Sequence, residues 1–118
     1  MLDLTVTIKR GLAIVSATGP VLRSDGVEQL TEMLQWLHEC GERRIALHAA
    51  GITAIDLDGL VALMDSHVDL KEAGGRLVIT APSRSVRLAL RRTGLDRVLE
   101  IAQGSAVWTH PSGADAAS

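Results

Sequence analysis

The chain has 118 residues, enough for one domain with its own core, and at 47% hydrophobic and 22% charged it has the balance of a globular protein. A net charge of −2 leaves no electrostatic footprint for DNA, RNA or acidic lipid, and two aromatic residues, Trp36 and Trp108, make a poor stacking platform for single strands. The lone cysteine, Cys40, cannot close an internal disulfide, the N-terminus lacks the basic-then-apolar order of a signal peptide, and no apolar run approaches the roughly 20 residues of a membrane span, so a cytoplasmic setting without stable membrane insertion is expected.

Leu2, Leu4, Val6 and Ile8 alternate with polar residues, which predicts a half-buried strand. Lys9-Arg10-Gly11 turns the chain into a second strand over 12–17, and so short a loop implies an antiparallel hairpin. Thr18-Gly19-Pro20 breaks the pattern. Asp25 with Glu28 fits a capping box, and Val27, Leu30, Met33, Leu34 and Leu37 recur at helical spacing, so a helix is predicted over 25–40, stopped by Gly41. A buried strand is predicted over 44–47, leading through His48-Ala49-Ala50-Gly51 into Ile52-Thr53-Ala54-Ile55. After Asp56, the positions Leu57, Leu60, Val61, Met64 and Val68 fit one helix face, and Gly74-Gly75 ends that helix. Residues 76–80 read as a strand, Pro82-Ser83 as the start of another helix stopped by Thr93-Gly94, and 95–102 as a short irregular piece or final strand. The small, polar residues from 104 to 118 are expected to form a disordered tail. Helices alternating with strands after an initial hairpin predict an α/β domain over 1–103, with a mostly parallel sheet and one antiparallel edge.

The chain is organised around Ile55-Asp56-Leu57-Asp58-Gly59-Leu60, where an apolar strand runs into a helix start. The first helical turn has amide groups without partners and a partial positive charge, so carboxylates are stabilised there. Asp56 fits an N-cap and Asp58 a first-turn acid. The same Asp-x-Asp-Gly is similar to the first motif of haloacid-dehalogenase-type phosphatases, with a nucleophile, an acid/base and a magnesium ion. Against that reading, Leu60 replaces the Thr of that motif, too little chain follows it for that fold, and no later acidic pair is placed to hold the metal. His38, His48, His67 and His110 are scattered over different elements without zinc spacing, so no metal or cofactor is expected. Arg84, Arg87, Arg91 and Arg92 form a basic stripe that reads as a solvated helix face.

The order of these pieces resembles a STAS domain over about residues 4–101, the family of anti-sigma factor antagonists. The family motif Ile-Asp-Ser-Ser-Gly-Leu corresponds to Ile55-Asp56-Leu57-Asp58-Gly59-Leu60. Ala73-Gly74-Gly75-Arg76-Leu77-Val78 and the run from Leu90 through Thr93-Gly94-Leu95-Asp96 are similar to later family signatures. The resemblance implies a STAS-like mixed sheet with helices packed mainly on one side. It also implies a bacterial, non-enzymatic partner-switching role, in which an anti-sigma factor with serine kinase activity binds the domain and then phosphorylates the second Ser of the motif. Here that position is Asp58, which has no hydroxyl to phosphorylate. Its charge of about −1 is a partial match to the roughly −1.5 to −2 of phosphoserine. Leu57 replaces the other Ser, Leu22 stands where the turn before the first helix usually has an acid, and His48 stands where the preceding strand often ends in Asp. The expected contact surface comprises Leu22, Arg23, Ser24, Asp56, Leu57, Asp58, Gly59 and Leu60, with Leu57 and Leu60 as partly exposed apolar contacts. A STAS scaffold or transporter-associated interaction domain is the alternative, and the oligomeric state is not set by the sequence.

Overall fold

The structure is a computed structural model that describes residues 1–102. The expectation of a disordered tail over 104–118 lies outside the described residues.

Strand β1 (Asp3–Lys9) pairs antiparallel with β2 (Leu12–Val21) through a two-residue Arg10–Gly11 turn. Helix α1 (Val27–Glu39) crosses to β3 (Arg44–Ile55), α2 (Leu57–Glu72) to β4 (Arg76–Thr80), and α3 (Arg84–Thr93) to β5 (Glu100–Ala102). The sheet order is β1-β2-β3-β4-β5, and every pair from β2 onward is parallel. Three crossovers of one hand that step steadily across a sheet carry their helices to the same face. The packing agrees. Ala13, Val15 and Ala17 of β2, Ile45, Leu47 and Ala49 of β3, and Leu77 and Ile79 of β4 alternate along their strands. They share one buried cluster with Leu30, Leu34 and Leu37 of α1, Leu60, Leu63 and Leu70 of α2, and Val86 and Leu90 of α3. The expected fold class is therefore what the chain adopts.

The structure corrects several local expectations. First, β3 is a single strand of 12 residues. His48-Ala49-Ala50-Gly51 does not leave the sheet: Ser16 and Thr80 both lie opposite His48, β2 pairs again at Gly51 after an irregularity, and the Ala49 carbonyl accepts from the Ser83 amide at 3.1 Å. Second, the capping box at Asp25 and Glu28 does not form. The N-cap of α1 is Gly26, at φ 108°, with no side-chain cap, and Asp25 instead pairs with the N-terminal ammonium of Met1 at 3.3 Å. Gly26 is forced there by space as well as by its dihedral: a Cβ would run into the carbonyl of Pro20. Third, α2 buries Leu60, Leu63 and Leu70 together with Gly59 and Ala62, while Leu57, Val61 and Val68 point outward. The expected face mixed the two sides, since α2 is apolar on both and periodicity alone does not say which side meets the sheet.

The second strand also outruns its expected end at 17, since Thr18-Gly19-Pro20 stay paired with β3 as far as Val21, with irregularities in the register. The boundaries of α3 follow the sequence closely. Ser83 caps α3 by accepting from the Val86 amide at 3.3 Å, and Gly94 ends it in the left-handed conformation. A 3-10 turn over Leu95–Arg97 then delivers the chain to β5, where Glu100 takes the Arg76 guanidinium at 2.7 Å. Among the described residues no helix is long and apolar enough to cross a membrane.

The start of α1 makes a prediction. Glu28→Ala leaves stability within about 0.5 kcal/mol of the parent, because the exposed carboxylate caps nothing. Gly26→Ala costs at least about 2 kcal/mol, from the positive φ and the collision with Pro20. Urea unfolding followed by circular dichroism measures both.

Candidate functional site

Parallel strands β2 and β3 end side by side, with Val21 opposite Ile55. The chain leaves β2 through a tight turn in which the Leu22 and Asp25 backbones exchange hydrogen bonds at 2.8 and 2.9 Å. It leaves β3 directly into α2, with Asp56 as N-cap in extended conformation. The two exits are tied together by the Asp56 carboxylate. Its Oδ1 accepts from the Gly59 amide at 3.0 Å, inside the first turn of α2, and its Oδ2 accepts from the Arg23 amide at 2.9 Å, in the other exit. The Asp56 amide also donates to the Val21 carbonyl at 3.4 Å. The Arg23 amide above all holds the Asp56 carboxyl below the usual carboxylate range. Partial desolvation opposes this, and the Gly59 amide adds to the lowering.

Gly59 is the second device that positions the site. A Cβ there would sit 2.5 Å from the Val21 carbonyl oxygen and 2.7 Å from the Ile55 side chain. The first turn of α2 thus rests directly on the ends of β2 and β3, a distance that no larger residue allows.

The eight expected contact residues divide on this scaffold. Arg23, Ser24, Leu57 and Asp58 are exposed, Leu22 and Asp56 are half-buried, and Gly59 and Leu60 are buried. Leu57 is 68% exposed, whereas Leu60 is 3% exposed and belongs to the core, so the expected apolar contact at Leu60 is corrected. At about 100° per residue Leu60 lies about 60° round the helix from Leu57, and that offset turns it toward the sheet while Leu57 stays outside. The structure therefore brings Leu22–Ser24 and Asp56–Asp58 onto one surface at the carboxyl ends of the strands. The carboxylate of Asp58, in the first turn of α2, has no hydrogen-bond or ion-pair partner among the described residues and lies at the mouth of the groove between α1 and α2. What sequence reading missed is the role of the Arg23 amide. A backbone donor in a turn leaves no residue-type signature.

Elsewhere the expected bystanders are dispersed. Among the described residues no group of three or more His, Cys, Asp or Glu is placed to hold a metal ion. Cys40 is exposed at the C-cap of α1. Arg84, Arg87, Arg91 and Arg92 are exposed on α3.

Comparison with known proteins accords with this architecture. The family described as "Mlab, STAS domain" matches residues 4–101, and the chain belongs to the STAS family. A search of curated proteins finds no match. Among solved structures, an anti-sigma factor antagonist from Mycobacterium paratuberculosis superposes with a TM-score of 0.80 at 16% identity, over 89% of this chain and 88% of that one. The protein TM1081 of Thermotoga maritima gives 0.74 at 19% identity, over 87% and 88%. The Bacillus cell fate determinant SpoIIAA, in its phosphorylated form, gives 0.66 at 18% identity, over 85% and 91%. At these identities the likeness is one of fold.

The clamp predicts a pH-dependent contribution. Replacing Asp56 by Ala removes an N-cap and costs about 1–2 kcal/mol at pH 7. Because the folded pKa is lowered, this contribution is present above the unfolded value of about 3.9 and is lost as pH falls through the folded value. The stability gap between the parent and Asp56→Ala, read by urea unfolding at pH 7, 5 and 3, is therefore constant over the first two and shrinks at the third.

Proposed function

We propose that this protein is a non-enzymatic STAS regulator that binds an anti-sigma factor or serine-kinase-type partner through the β2–α1 turn and the start of α2, without a serine phosphorylation switch in its motif. The observation that carries this is the joining of the two exits by Asp56, which presents Leu22–Ser24, Leu57 and Asp58 as one surface. An exposed Leu57 beside the Asp58 carboxylate, which has no partner among the described residues, combines an apolar anchor with a charge that sets orientation. The family match supports the reading, as do solved neighbours described as anti-sigma factor antagonists.

The position that carries the phosphoacceptor in the resembled motif is Asp58. A carboxylate offers no oxygen–hydrogen bond for phosphoryl transfer from a Ser kinase. Its fixed charge instead gives the partner one constant signal, weaker than that of a phosphoserine with about −1.5 to −2. A phosphatase role for Asp56 and Asp58 is disfavoured by the same geometry. Both Asp56 oxygens already accept backbone amides, and the carboxylate serves as a cap rather than as a poised nucleophile. A scaffold within a membrane-associated or multi-subunit assembly uses the same kind of surface and would show itself as a stable, stoichiometric complex.

The test is a titration of the protein against an anti-sigma factor or serine-kinase-type protein, taken first from any neighbouring gene that encodes one, with and without ATP. The expected outcome is binding that ATP does not abolish and no phosphate within residues 52–61 by mass spectrometry. Asp58→Ser changes the affinity by about tenfold if the partner reads the charge, equivalent to a single desolvated charge contact. Phosphate incorporated within 52–61 of the unmodified sequence, or magnesium-dependent ester hydrolysis lost in Asp56→Asn, overturns the reading.

A further inference from the structure

Helix α2 carries a second apolar face that the described residues leave largely uncovered. Leu57 is 68%, Val61 48% and Val68 41% exposed, and Met64 between them is half-buried. At about 100° per residue these four side chains fall within an arc of roughly 60°, a straight ridge some 16 Å long. The spacing i, i+4, i+7, i+11 is the one by which a helix presents apolar residues to another helix. The core side of α2, through Leu60, Leu63 and Leu70, adjoins this ridge at Met64, which packs partly against the core, while Leu57, Val61 and Val68 stay exposed.

One flank of the ridge is acidic. Asp58, Asp65, Asp69 and Glu72 occupy the adjoining arc of about 60° on the side toward α1. Their carboxylates have no partners among the described residues. Asp58, Asp65 and Asp69 form one wall of a shallow groove of about 250 Å³ whose other wall includes Val27 and Thr31 of α1. Like charges one or two turns apart on a helix repel each other, a cost that the fold does not offset internally.

We propose that this ridge and groove dock a basic amphipathic helix of a protein partner, with apolar side chains at i, i+4, i+7 and i+11 and Lys or Arg along the flank that meets the acids. The charge selects the occupant. Four carboxylates beside the ridge repel nucleic acid and anionic lipid headgroups, and four aliphatic residues without an aromatic make a weak membrane anchor. The chain's own basic helix does not match. In α3, Arg84, Arg87 and Arg91 surround one half-buried apolar residue, Leu88, so it has no ridge to offer a second copy. Helix-in-groove recognition of this kind takes its affinity from the apolar anchors and its orientation from the charged flank. The proposal rests on the reading of the protein as a partner-binding regulator and extends its contact surface from the start of α2 along most of the helix.

The probe is a labelled synthetic helical peptide of about 18 residues with Leu at the four ridge positions and Arg on one flank, compared by fluorescence anisotropy with the same peptide bearing Glu for Arg. The parent protein is expected to bind the Arg peptide at least about tenfold more tightly than the Glu peptide. Val61→Ser/Val68→Ser is expected to weaken Arg-peptide binding by at least about tenfold, and Asp65→Lys/Asp69→Lys to reverse the preference between the peptides. All four positions are exposed, so melting curves should match the parent and separate lost docking from lost folding. Equal binding of both peptides, binding indifferent to the Val substitutions, or a parent homodimer in sedimentation that the Val substitutions dissolve overturns the proposal. The peptide needs no cognate kinase. A kinase-type partner that fails to bind while the peptide binds normally counts against the proposed function alone, whereas partner binding unaffected by Val61→Ser/Val68→Ser counts against this docking alone.

Discussion

The Asp56 carboxylate holds the candidate site of this molecule together. It accepts one amide from its own helix and one from a turn 33 residues earlier in the chain, so a single side chain fixes the angle at which α2 departs and the place where the β2–α1 turn rests. Each bond alone is an ordinary cap or turn contact. Together they join two segments with different crossover histories, and the partial positive charge of the helix start favours the ionised form that both bonds require. Gly59 completes the arrangement from below by letting the first turn of α2 lie against the Val21 carbonyl.

Above that joint, the parallel sheet does the placing. Because β2 and β3 run the same way, their carboxyl ends open at one edge of the sheet, and ligands of open α/β sheets commonly sit beyond such edges. All three helices contribute to one core on one face. Helix α2 is the exception to simple amphipathicity: it gives one apolar side to the core and keeps another outward, with acids between the outward side and α1. A helix that is apolar on two sides at once has a weak single-face pattern, which is why its burial is hard to read without the sheet beside it.

The fold class was legible because it rests on signals that survive context. The period-two run from Leu2 to Ile8, the turn at Arg10-Gly11, the serine cap at Ser83 and the glycine stop at Gly94 each say the same thing locally and globally. The N-cap role of Asp56 was legible for the same reason. What escaped was decided by neighbours far away in sequence. The length of β3 depends on flanking strands, the start of α1 depends on the Pro20 carbonyl beside Gly26, and the burial of Leu60 rather than Leu57 depends on where the sheet lies. The Arg23 amide is the extreme case, since no side chain announces a backbone donor.

The exposure of Asp58 has a further consequence for how such a module changes over generations. Its carboxylate has no hydrogen-bond or ion-pair partner among the described residues, so folding places little demand on which residue stands there. The residues on either side of it in the chain's architecture are held tightly: Asp56 by two amides, Gly59 by lack of space, Leu60 by the core. Selection for a stable domain therefore fixes the frame around position 58 and leaves the position itself open. On the proposed function, a signalling residue in this architecture can be acquired, exchanged or retired by substitution at one site while the scaffold is inherited intact.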